Sequence, residues 1–221
     1  MALELIVSKI WKIYEGRPVL RDLSFVFDRK RIYVIMGPNG SGKTTFLKIC
    51  ALLEVPDKGK VFYLNSDKKR LPKDINLFRK ITYVFPEVGI FNASVFDNVA
   101  YGLKIRGFKK KEIVARVEEV LDFVGLIHKK KQNALTLSSG EAKRMGIARA
   151  IVIEPEFIFL DEPTAFVDMK NTEIIEKILL QIKEREKSTI IIATHDTYFA
   201  SKVGDIILKL ENGKLLTENS A

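Results

Sequence analysis

The chain has 221 residues, 47% of them hydrophobic, and a formal net charge of +9 at pH 7. This length and apolar content suffice to bury a large core as one domain with a smaller inserted lobe. No run approaches the ~18 consecutive apolar residues of a membrane-spanning helix, and residues 1–14 carry charges where a signal peptide has its apolar centre, so we expect a chain that neither spans nor crosses a membrane by itself.

The basic charge and the single cysteine bear on partners and compartment. Lysine runs such as Lys109–Lys111 and Lys129–Lys131 have carboxylates between them, which is typical of solvated helix faces. An anionic membrane surface or a nucleotide suits this charge as well as a nucleic acid does, and the runs lack the interleaved aromatic residues of a base-stacking platform. We therefore expect no nucleic-acid partner.

Cys50 alone allows no intramolecular disulfide and no cysteine metal cluster, which fits a reducing, cytoplasmic setting.

The chain begins with predicted strands and a helix. Leu3–Val7 and Leu20–Phe27 alternate as half-buried strands do, and Gly16–Pro18 predicts a turn between them. Ile32–Met36 is a short apolar run typical of a strand, and Thr45–Leu53 continues as a helix. The segment between these last two elements is therefore a loop that leads from a strand into a helix.

That loop is a complete glycine-rich phosphate loop, G-x-x-x-x-G-K-[ST]. Its residues are Gly37, Pro38, Asn39, Gly40, Ser41, Gly42, Lys43 and Thr44. The glycines let backbone amides at a helix N-terminus approach a triphosphate, Lys43 reaches the β- and γ-phosphates, and the Thr44 hydroxyl is placed to ligate Mg²⁺. The alternative is a glycine-rich turn that binds nothing, and the preceding strand and the Lys-Thr pair argue against it.

The next segments predict two further strands. Pro56–Gly59 predicts a turn and Lys60–Leu64 a strand, and residues 65–80 are polar and irregular. Ile81–Phe85 predicts a strand that ends at Pro86, because proline cannot donate a hydrogen bond to a ladder.

Residues from about 92 to 150 have helical patterns. Apolar residues recur at three- and four-residue spacings over Lys111–Val124, which predicts an amphipathic helix that ends at a glycine. A second helical segment follows Ser138–Gly140. We predict one α/β domain over residues 1–221, with a helical lobe at approximately 90–150 inserted between sheet elements.

Parallel-sheet patterns return after this lobe. Phe157–Leu160 and Thr189–Ala193 are apolar strand runs, separated by a helix from about 169 to 187. Ile206–Leu210 and a turn at Glu211–Lys214 predict a terminal hairpin.

Two carboxylates, Asp161 and Glu162, directly follow the first of these strands. An apolar strand that stops on acids puts them at the C-terminal edge of the sheet, beside the phosphate loop, where ligands bind in open α/β sheets. Asp161 then suits the Mg²⁺ shell, and Glu162 suits polarising the attacking water. A simple strand cap is the alternative explanation of two adjacent acids.

Further motifs, in order along the chain, resemble those of the ATP-binding-cassette (ABC) family. Leu137–Glu141 resembles the family signature L-S-G-G-Q, Pro163–Asp168 resembles the D-loop, and Ala193–Asp196 resembles the switch-histidine segment. Tyr14 occupies the place of the aromatic residue that stacks on adenine. The resemblance covers essentially the whole chain and implies the P-loop NTPase fold, an α/β fold with a mixed sheet core, N-terminal antiparallel strands and an inserted helical subdomain.

The resemblance also implies a role for each matching residue. Two subunits would pair head to tail, each signature closing over the other's ATP. Lys43, Glu162 and His195 would be catalytic, with His195 at the γ-phosphate, and Asp168 would act in the D-loop. The implied nucleotide-binding residues are Tyr14, Gly37, Pro38, Asn39, Gly40, Ser41, Gly42, Lys43, Thr44 and Thr45. The implied contacts with the partner's ATP are Ser138, Ser139, Gly140 and Glu141.

Two of these assignments have ordinary alternatives. Ser138 and Gly140 at a helix start would by themselves suit an N-cap. Tyr14 would by itself suit an aromatic residue at the end of a strand. The order and number of the motifs favour the functional interpretation of both.

The chain departs from the family pattern at several positions. Where the family has a Gln that reaches Mg²⁺ and the attacking water, this chain has Pro86 followed by Glu87. We hypothesise that Glu87 takes part of that role as a metal ligand, or that coupling runs without it. Ser139 and Glu141 alter the signature, and a carboxylate near a phosphate is unfavourable unless it points away. Phe166 replaces a small D-loop residue, which changes the seam between subunits.

The resemblance predicts the ATPase subunit of an ABC transporter, with ATP and Mg²⁺ as cofactors. Its implied partners are a second ATP-binding subunit, as a homodimer when ATP is bound, and integral-membrane translocator subunits with a solute-binding protein. The implied location is cytoplasmic, on the inner face of the cell membrane. The sequence of Phe91–Leu103 most resembles that of the phosphate and molybdate or tungstate importers.

Two other classes remain as alternatives at this point. A soluble ABC ATPase acting on nucleic acid or ribosomes would carry a long coiled coil or a tandem cassette, and the sequence has neither. A P-loop kinase that phosphorylates a small molecule would leave the signature and the switch histidine unexplained.

Overall fold

The computed structural model describes residues 3–28 and 30–217. These ranges contain nine strands and seven α-helices, with short 3-10 helices at Ile127–Lys129 and Ala134–Thr136. The strands are β1 (Glu4–Tyr14), β2 (Arg17–Phe27), β3 (Ile32–Met36), β4 (Lys58–Leu64), β5 (Ile81–Val84), β6 (Phe157–Asp161), β7 (Thr189–Thr194), β8 (Ile206–Glu211) and β9 (Lys214–Thr217). The helices are α1 (Lys43–Cys50), α2 (Ile75–Phe78), α3 (Val95–Ile105), α4 (Lys110–Phe123), α5 (Ser139–Ile151), α6 (Met169–Glu184) and α7 (Thr197–Val203).

The first sheet is antiparallel, with strand order β2-β1-β4, and its hairpin is longer than predicted. β1 continues to Tyr14 across bulges on either side of the buried Ile10, and it stays paired with β2 up to the Tyr14–Arg17 pair. Its turn consists of Glu15 and Gly16, with φ of 48° and 76°, the left-handed geometry that joins twisted strands tightly. The predicted turn was wrong at Arg17 and Pro18, which pair with β1 as part of β2.

The stretch predicted as irregular, residues 65–80, contains the one-turn helix α2. The Asp74 carboxylate caps it by accepting hydrogen bonds from the backbone amides of Asn76 and Leu77, at 2.9 and 3.0 Å. A single turn is too short to show an apolar period, which is why the pattern did not predict it.

The second sheet has the strand order β5-β6-β7-β3-β8-β9. Strands β5 to β8 run parallel to their neighbours, and β9 pairs antiparallel with β8. Every residue of β7 is buried, as expected of a parallel strand covered on both faces. The first sheet, α1 and the short α2 cover one face, and α3 to α7 cover the opposite face. The predicted mixed sheet with N-terminal antiparallel strands is confirmed.

Helices α3, α4 and α5 lie between β5 and β6 in the chain and pack on one another. Val99, Leu121 and Met145 belong to one apolar cluster that also includes sheet residues such as Ile158 and Ile192. The core of these helices is therefore continuous with one face of the sheet. None of the helices in the described ranges is long and apolar enough to cross a membrane.

The strand register brings three functional segments to one edge of the second sheet. Met36 at the end of β3 pairs with Thr194, and Asp161 at the end of β6 pairs with Ala193. The carboxyl ends of β3, β6 and β7 are thus adjacent, so the phosphate loop, Glu162 and His195 emerge side by side. This is the edge at which parallel sheets bind ligands.

Candidate active site

The phosphate loop connects β3 to α1 and depends on glycine at three points. Gly40 and Gly42 have φ of 79° and 99°, in the left-handed region that favours glycine. A Cβ atom on Gly37 would lie 2.3 Å from the backbone oxygen of Leu210, so a side chain does not fit there. The backbone can therefore come close to an anion, and the N-terminus of α1 adds partial positive charge.

Lys43, the first residue of α1, lies across the loop with only 6% of its surface exposed. Its Nζ donates hydrogen bonds to the backbone oxygens of Gly37, at 2.8 Å, and Pro38, at 3.2 Å. The same Nζ lies 3.8 Å from Oε1 of Glu162. The ammonium group thus lies between the carbonyl groups of the loop and the Glu162 carboxylate, whose negative charge it offsets.

Asp161 is buried between two hydroxyl groups. Thr44 Oγ1 donates to Oδ1 at 3.1 Å, and Tyr83 Oη donates to Oδ2 at 2.9 Å. Burial raises the pKa of the Asp161 carboxyl, and the two hydrogen bonds oppose that rise. The carboxylate is therefore held in one orientation, with one oxygen directed at the Thr44 hydroxyl.

These oxygens fit the donor set of Mg²⁺. Neighbouring ligands of an octahedral Mg²⁺ with bonds of about 2.0–2.1 Å lie about 2.9 Å apart. The Thr44 and Asp161 oxygens are separated by 3.1 Å. Within residues 3–28 and 30–217 no group of three or more His, Cys, Asp or Glu side chains could hold a metal, so phosphate oxygens and water would complete such a shell.

Glu162 sits directly after β6 with φ of 48°, an uncommon conformation for a residue with a side chain. Both its carboxylate oxygens lie 3.1 Å from His195 Nδ1, and the Thr194 hydroxyl donates to Oε2 at 3.3 Å. Strained backbone of this kind persists where the surroundings over-determine it. The strain and the contacts fix the carboxylate beside Lys43 and His195.

Tyr14 lies at the open end of the same cavity, where 43% of its surface is exposed. Its hydroxyl donates to Glu54, and Lys12 Nζ lies 5.2 Å from its ring centroid. Other residues lining this cavity include Asn39, Gly40, Gly42, Lys43, Thr44, Thr45 and Glu162. Tyr14 and the loop therefore share one cavity, and stacking of Tyr14 on adenine stays a prediction.

The signature opens α5 with a capping box. Ser138 Oγ accepts from the Glu141 backbone amide at 3.4 Å, and Glu141 Oε2 accepts from the Ser138 amide at 3.0 Å. Lys129 Nζ lies 2.6 Å from the other oxygen of Glu141. Burial alone would raise the pKa of Glu141, but the Lys129 and Ser138 hydrogen bonds lower it below its usual value. The Glu141 carboxylate thus turns back onto its own chain and is paired.

The signature packs against the start of α6. A Cβ atom on Gly140 would lie 2.4 Å from Cγ of Asn171, so the glycine allows this close approach. Asn171 in turn donates to Asp168, from its backbone amide at 2.9 Å and its side-chain amide at 2.7 Å. Phe166, in the loop before α6, is 95% exposed. Asp168 therefore acts here as a helix cap that touches the signature through Asn171.

The structure does not bring every predicted residue into one cavity. In the described residues, the cavity shared by Tyr14 and the loop is lined by none of the signature residues 138–141. Glu87 is exposed and lines a separate cavity with Tyr83, Phe85 and Arg149. Metal ligation by Glu87 stays a prediction.

Several side chains at the site had no predicted role: Tyr83, Lys129, Lys143 and Thr194. Tyr83 lies in a strand whose pattern indicates only packing. Lys143 had one weak signal, since it and its neighbour Arg144 are basic in a helix of mostly small and apolar residues. The sequence pattern does not show how far a helix lies from the end of a strand. It therefore could not predict the contacts that these four side chains make.

Comparisons with known proteins agree with this geometry. Residues 20–165 match the protein family described as "ABC transporter". The tungstate uptake system ATP-binding protein TupC of Peptoclostridium acidaminophilum is 38% identical over 213 residues, which cover 96% of this chain and 97% of that protein.

Two solved structures share the fold. The structure of cbiO1 from Clostridium perfringens, part of the ABC transporter complex cbiONQ, has a TM-score of 0.86 and 30% identity, over 98% of this chain and 88% of that one. A bacterial ABC transporter cassette solved as a dimer has a TM-score of 0.84 and 28% identity, over 97% of both chains.

Proposed function

The chain belongs to the ABC transporter family, as an ATP-binding subunit that hydrolyses ATP, and from this premise we propose that its hydrolysis drives uptake of a tungstate-like oxyanion through a separate membrane subunit. Two observations support the solute class. The relative at 38% identity is named for tungstate uptake. The sequence of the segment Phe91–Leu103, which follows β5, resembles that of importers of such oxyanions.

One observation carries the enzymatic mechanism: the Thr44 and Asp161 oxygens are 3.1 Å apart beside the Glu162 carboxylate. Thr44 and Asp161 would hold Mg²⁺, which would supply positive charge to offset the negative charge of the phosphates during hydrolysis. Lys43 would exchange its loop carbonyls for phosphate oxygens. Glu162 would accept the proton of the attacking water, and His195 would keep the Glu162 carboxylate oriented toward it.

Replacing Thr44 by Val is expected to shift the Mg²⁺ dependence of hydrolysis to higher concentration by at least about tenfold, because even outer-shell partners of a metal contribute about 10- to 100-fold. The variant keeps a similar size and loses only the hydroxyl oxygen. Phosphate release across a Mg²⁺ titration measures the shift, and ATP binding in EDTA checks that the loop still folds. Thr44→Ser, which keeps the hydroxyl, should behave as wild type. If the Mg²⁺ dependence of Thr44→Val is the same as that of wild type, Thr44 is not a metal ligand.

We propose that two copies pair head to tail when ATP binds. Support comes from the arrangement of one copy, whose signature residues 138–141 lie outside the cavity of its own phosphate loop. A second chain's Ser138, Ser139 and Gly140 would then complete that cavity over the ATP. One of the similar structures is a dimer of such a cassette, which supports the pairing of two copies.

The wider assembly follows from the same premise. We propose that residues 1–221 form one ATP-binding domain with a helical lobe at approximately 90–150. The domain would sit on the inner face of the cell membrane against integral-membrane translocator subunits, with a solute-binding protein on the other side. The uptake direction rests on the named relative.

Solute-stimulated hydrolysis in the assembled transporter tests this proposal. The chain would be co-purified with its membrane translocator and reconstituted in liposomes with the solute-binding protein. Tungstate in the binding-protein compartment should raise ATP turnover several-fold, whereas sulfate should not. Stimulation by a non-oxyanion instead would overturn the solute class and leave the ATPase assignment intact.

A further inference from the structure

Lys143 is a buried cation between two functional segments. It lies on α5, four residues after the first residue of that helix, and only 7% of its surface is exposed. Its Nζ donates to the backbone oxygen of Pro86 at 2.6 Å and to the backbone oxygen of Glu162 at 3.0 Å. One ammonium group therefore connects the signature helix, the end of the β5 segment and the residue that follows β6.

The surroundings show why this contact is not ordinary packing. Burial lowers the pKa of Lys143, and the negative charges of Glu162, Asp161 and Glu87 oppose that effect. A buried cation is costly unless its donors are satisfied, and here two carbonyl oxygens satisfy two of the three N–H groups. A neutral residue of similar size would fill the same space without that cost, so packing alone does not account for a lysine here.

Both hydrogen-bond acceptors of Lys143 are backbone oxygens in segments next to the candidate catalytic site. The Glu162 peptide, already at φ of 48°, is held at its N–H by the Ala193 oxygen at 2.9 Å and at its C=O by Lys143. Pro86 stands where the family pattern has a Gln, and proline offers only its carbonyl as a hydrogen-bonding group. That carbonyl is taken by Lys143.

We propose that Lys143 is a positioning residue for ATP hydrolysis, which transmits the position of the Pro86 segment to the catalytic carboxylate through the Glu162 backbone. This inference rests on the proposed role of Glu162 as the base. When the segment after β5 moves, Lys143 moves the Glu162 peptide with it and sets where the carboxylate lies relative to the γ-phosphate.

The test compares Lys143→Met, which keeps the length and loses the donors, with wild type in the purified full chain. We expect kcat for ATP to fall by about 10- to 100-fold, since a small misplacement of a reacting group can cost about 100-fold. KM and the affinity for a fluorescent ATP analogue should change less than about threefold, because the contacts around the phosphate loop are untouched. Lys143→Arg, which still donates to carbonyls, should recover part of kcat.

A double-mutant cycle separates positioning from general damage. If Lys143 acts through Glu162, adding Lys143→Met to Glu162→Gln should lower the residual turnover by less than about twofold, because coupled residues are not additive. Lys177→Met, on the exposed face of α6, is the control and should match wild type throughout. If Lys143→Met does not fold, Lys143→Gln takes its place in the cycle.

The outcomes distinguish this inference from the ATPase assignment. Wild-type kcat in Lys143→Met, or full additivity with Glu162→Gln, overturns the positioning role while wild-type hydrolysis stands. Equal losses in affinity and kcat, with no recovery by Arg, overturn it in favour of a purely structural lysine. Loss of hydrolysis in the wild-type chain itself would instead contradict the ATPase assignment.

Discussion

Glu162→Gln is expected to lower ATP turnover by about 10²- to 10⁴-fold, the usual contribution of a positioned general base. The amide keeps the shape of the side chain and cannot take a proton from water. ATP affinity should stay within a few-fold of wild type, because the phosphate loop, Thr44 and Tyr14 are unchanged. Single-turnover phosphate release measures the chemical step, and fluorescence titration measures binding.

The same variant should accumulate as an ATP-bound dimer. Two bound ATP molecules would hold the subunits together, and without hydrolysis nothing opens them. Size-exclusion chromatography with ATP and Mg²⁺ should therefore show a dimer for Glu162→Gln, where wild type passes through it transiently. Glu173→Gln, on the exposed side of α6, controls for the loss of one carboxylate. Unchanged turnover in Glu162→Gln would show that another residue is the base.

The phosphate loop and the two acids at the end of β6, Asp161 and Glu162, were predictable because their sequence signals are local. Gly37–Thr44 and Asp161–Glu162 are each defined by a few adjacent residues at the end of an apolar strand. Parallel strands share the edge at which they end, so the meeting of these segments follows from topology. The P-loop NTPase fold and the transporter ATPase class, which were predicted from the resemblance of the ordered motifs, are confirmed by the family match and the solved relatives.

Other features depended on distances that no pattern contains. Lys143 reaches Pro86 and Glu162 only because α5 crosses the ends of β5 and β6 at a particular depth. Glu141 was expected to be unfavourable near a phosphate unless it pointed away; it folds back onto its own helix start because Lys129 lies beside it. Such contacts are set by packing between elements, which the sequence period does not encode.

The length of β1 illustrates a second limit. Alternation of apolar and polar residues ended at Val7, so the strand was predicted to end there. Bulges around Ile10 shift the alternation by a residue and let the strand continue. A bulge breaks the pattern that identifies a strand while it preserves the strand itself.

Ser139→Asp is expected to lower turnover by at least about 100-fold while leaving ATP binding to one chain intact. Ser139 is exposed in the first turn of α5, where an acidic residue stabilises the helix by about 0.3–1 kcal/mol. In a head-to-tail dimer the same carboxylate would face the partner's phosphates, and two like charges about 4 Å apart near a surface repel by about 4 kcal/mol. Each 1.4 kcal/mol is about a factor of ten. Ser139→Asn is the neutral control of similar size.

Complementation then tests whether the site is shared between chains. Lys43→Met should be inactive because its own phosphate loop is impaired, although its signature is intact. Mixed with Ser139→Asp in equal amounts, it should restore about a quarter of wild-type turnover, since about half of the dimers are mixed and each has one complete site. Mixing Ser139→Asp with the Ser139→Asp/Lys43→Met double variant supplies no intact signature, so turnover should stay low. Recovery only in the first mixture requires that one chain's signature acts on the other chain's ATP, whereas no recovery would contradict the head-to-tail site.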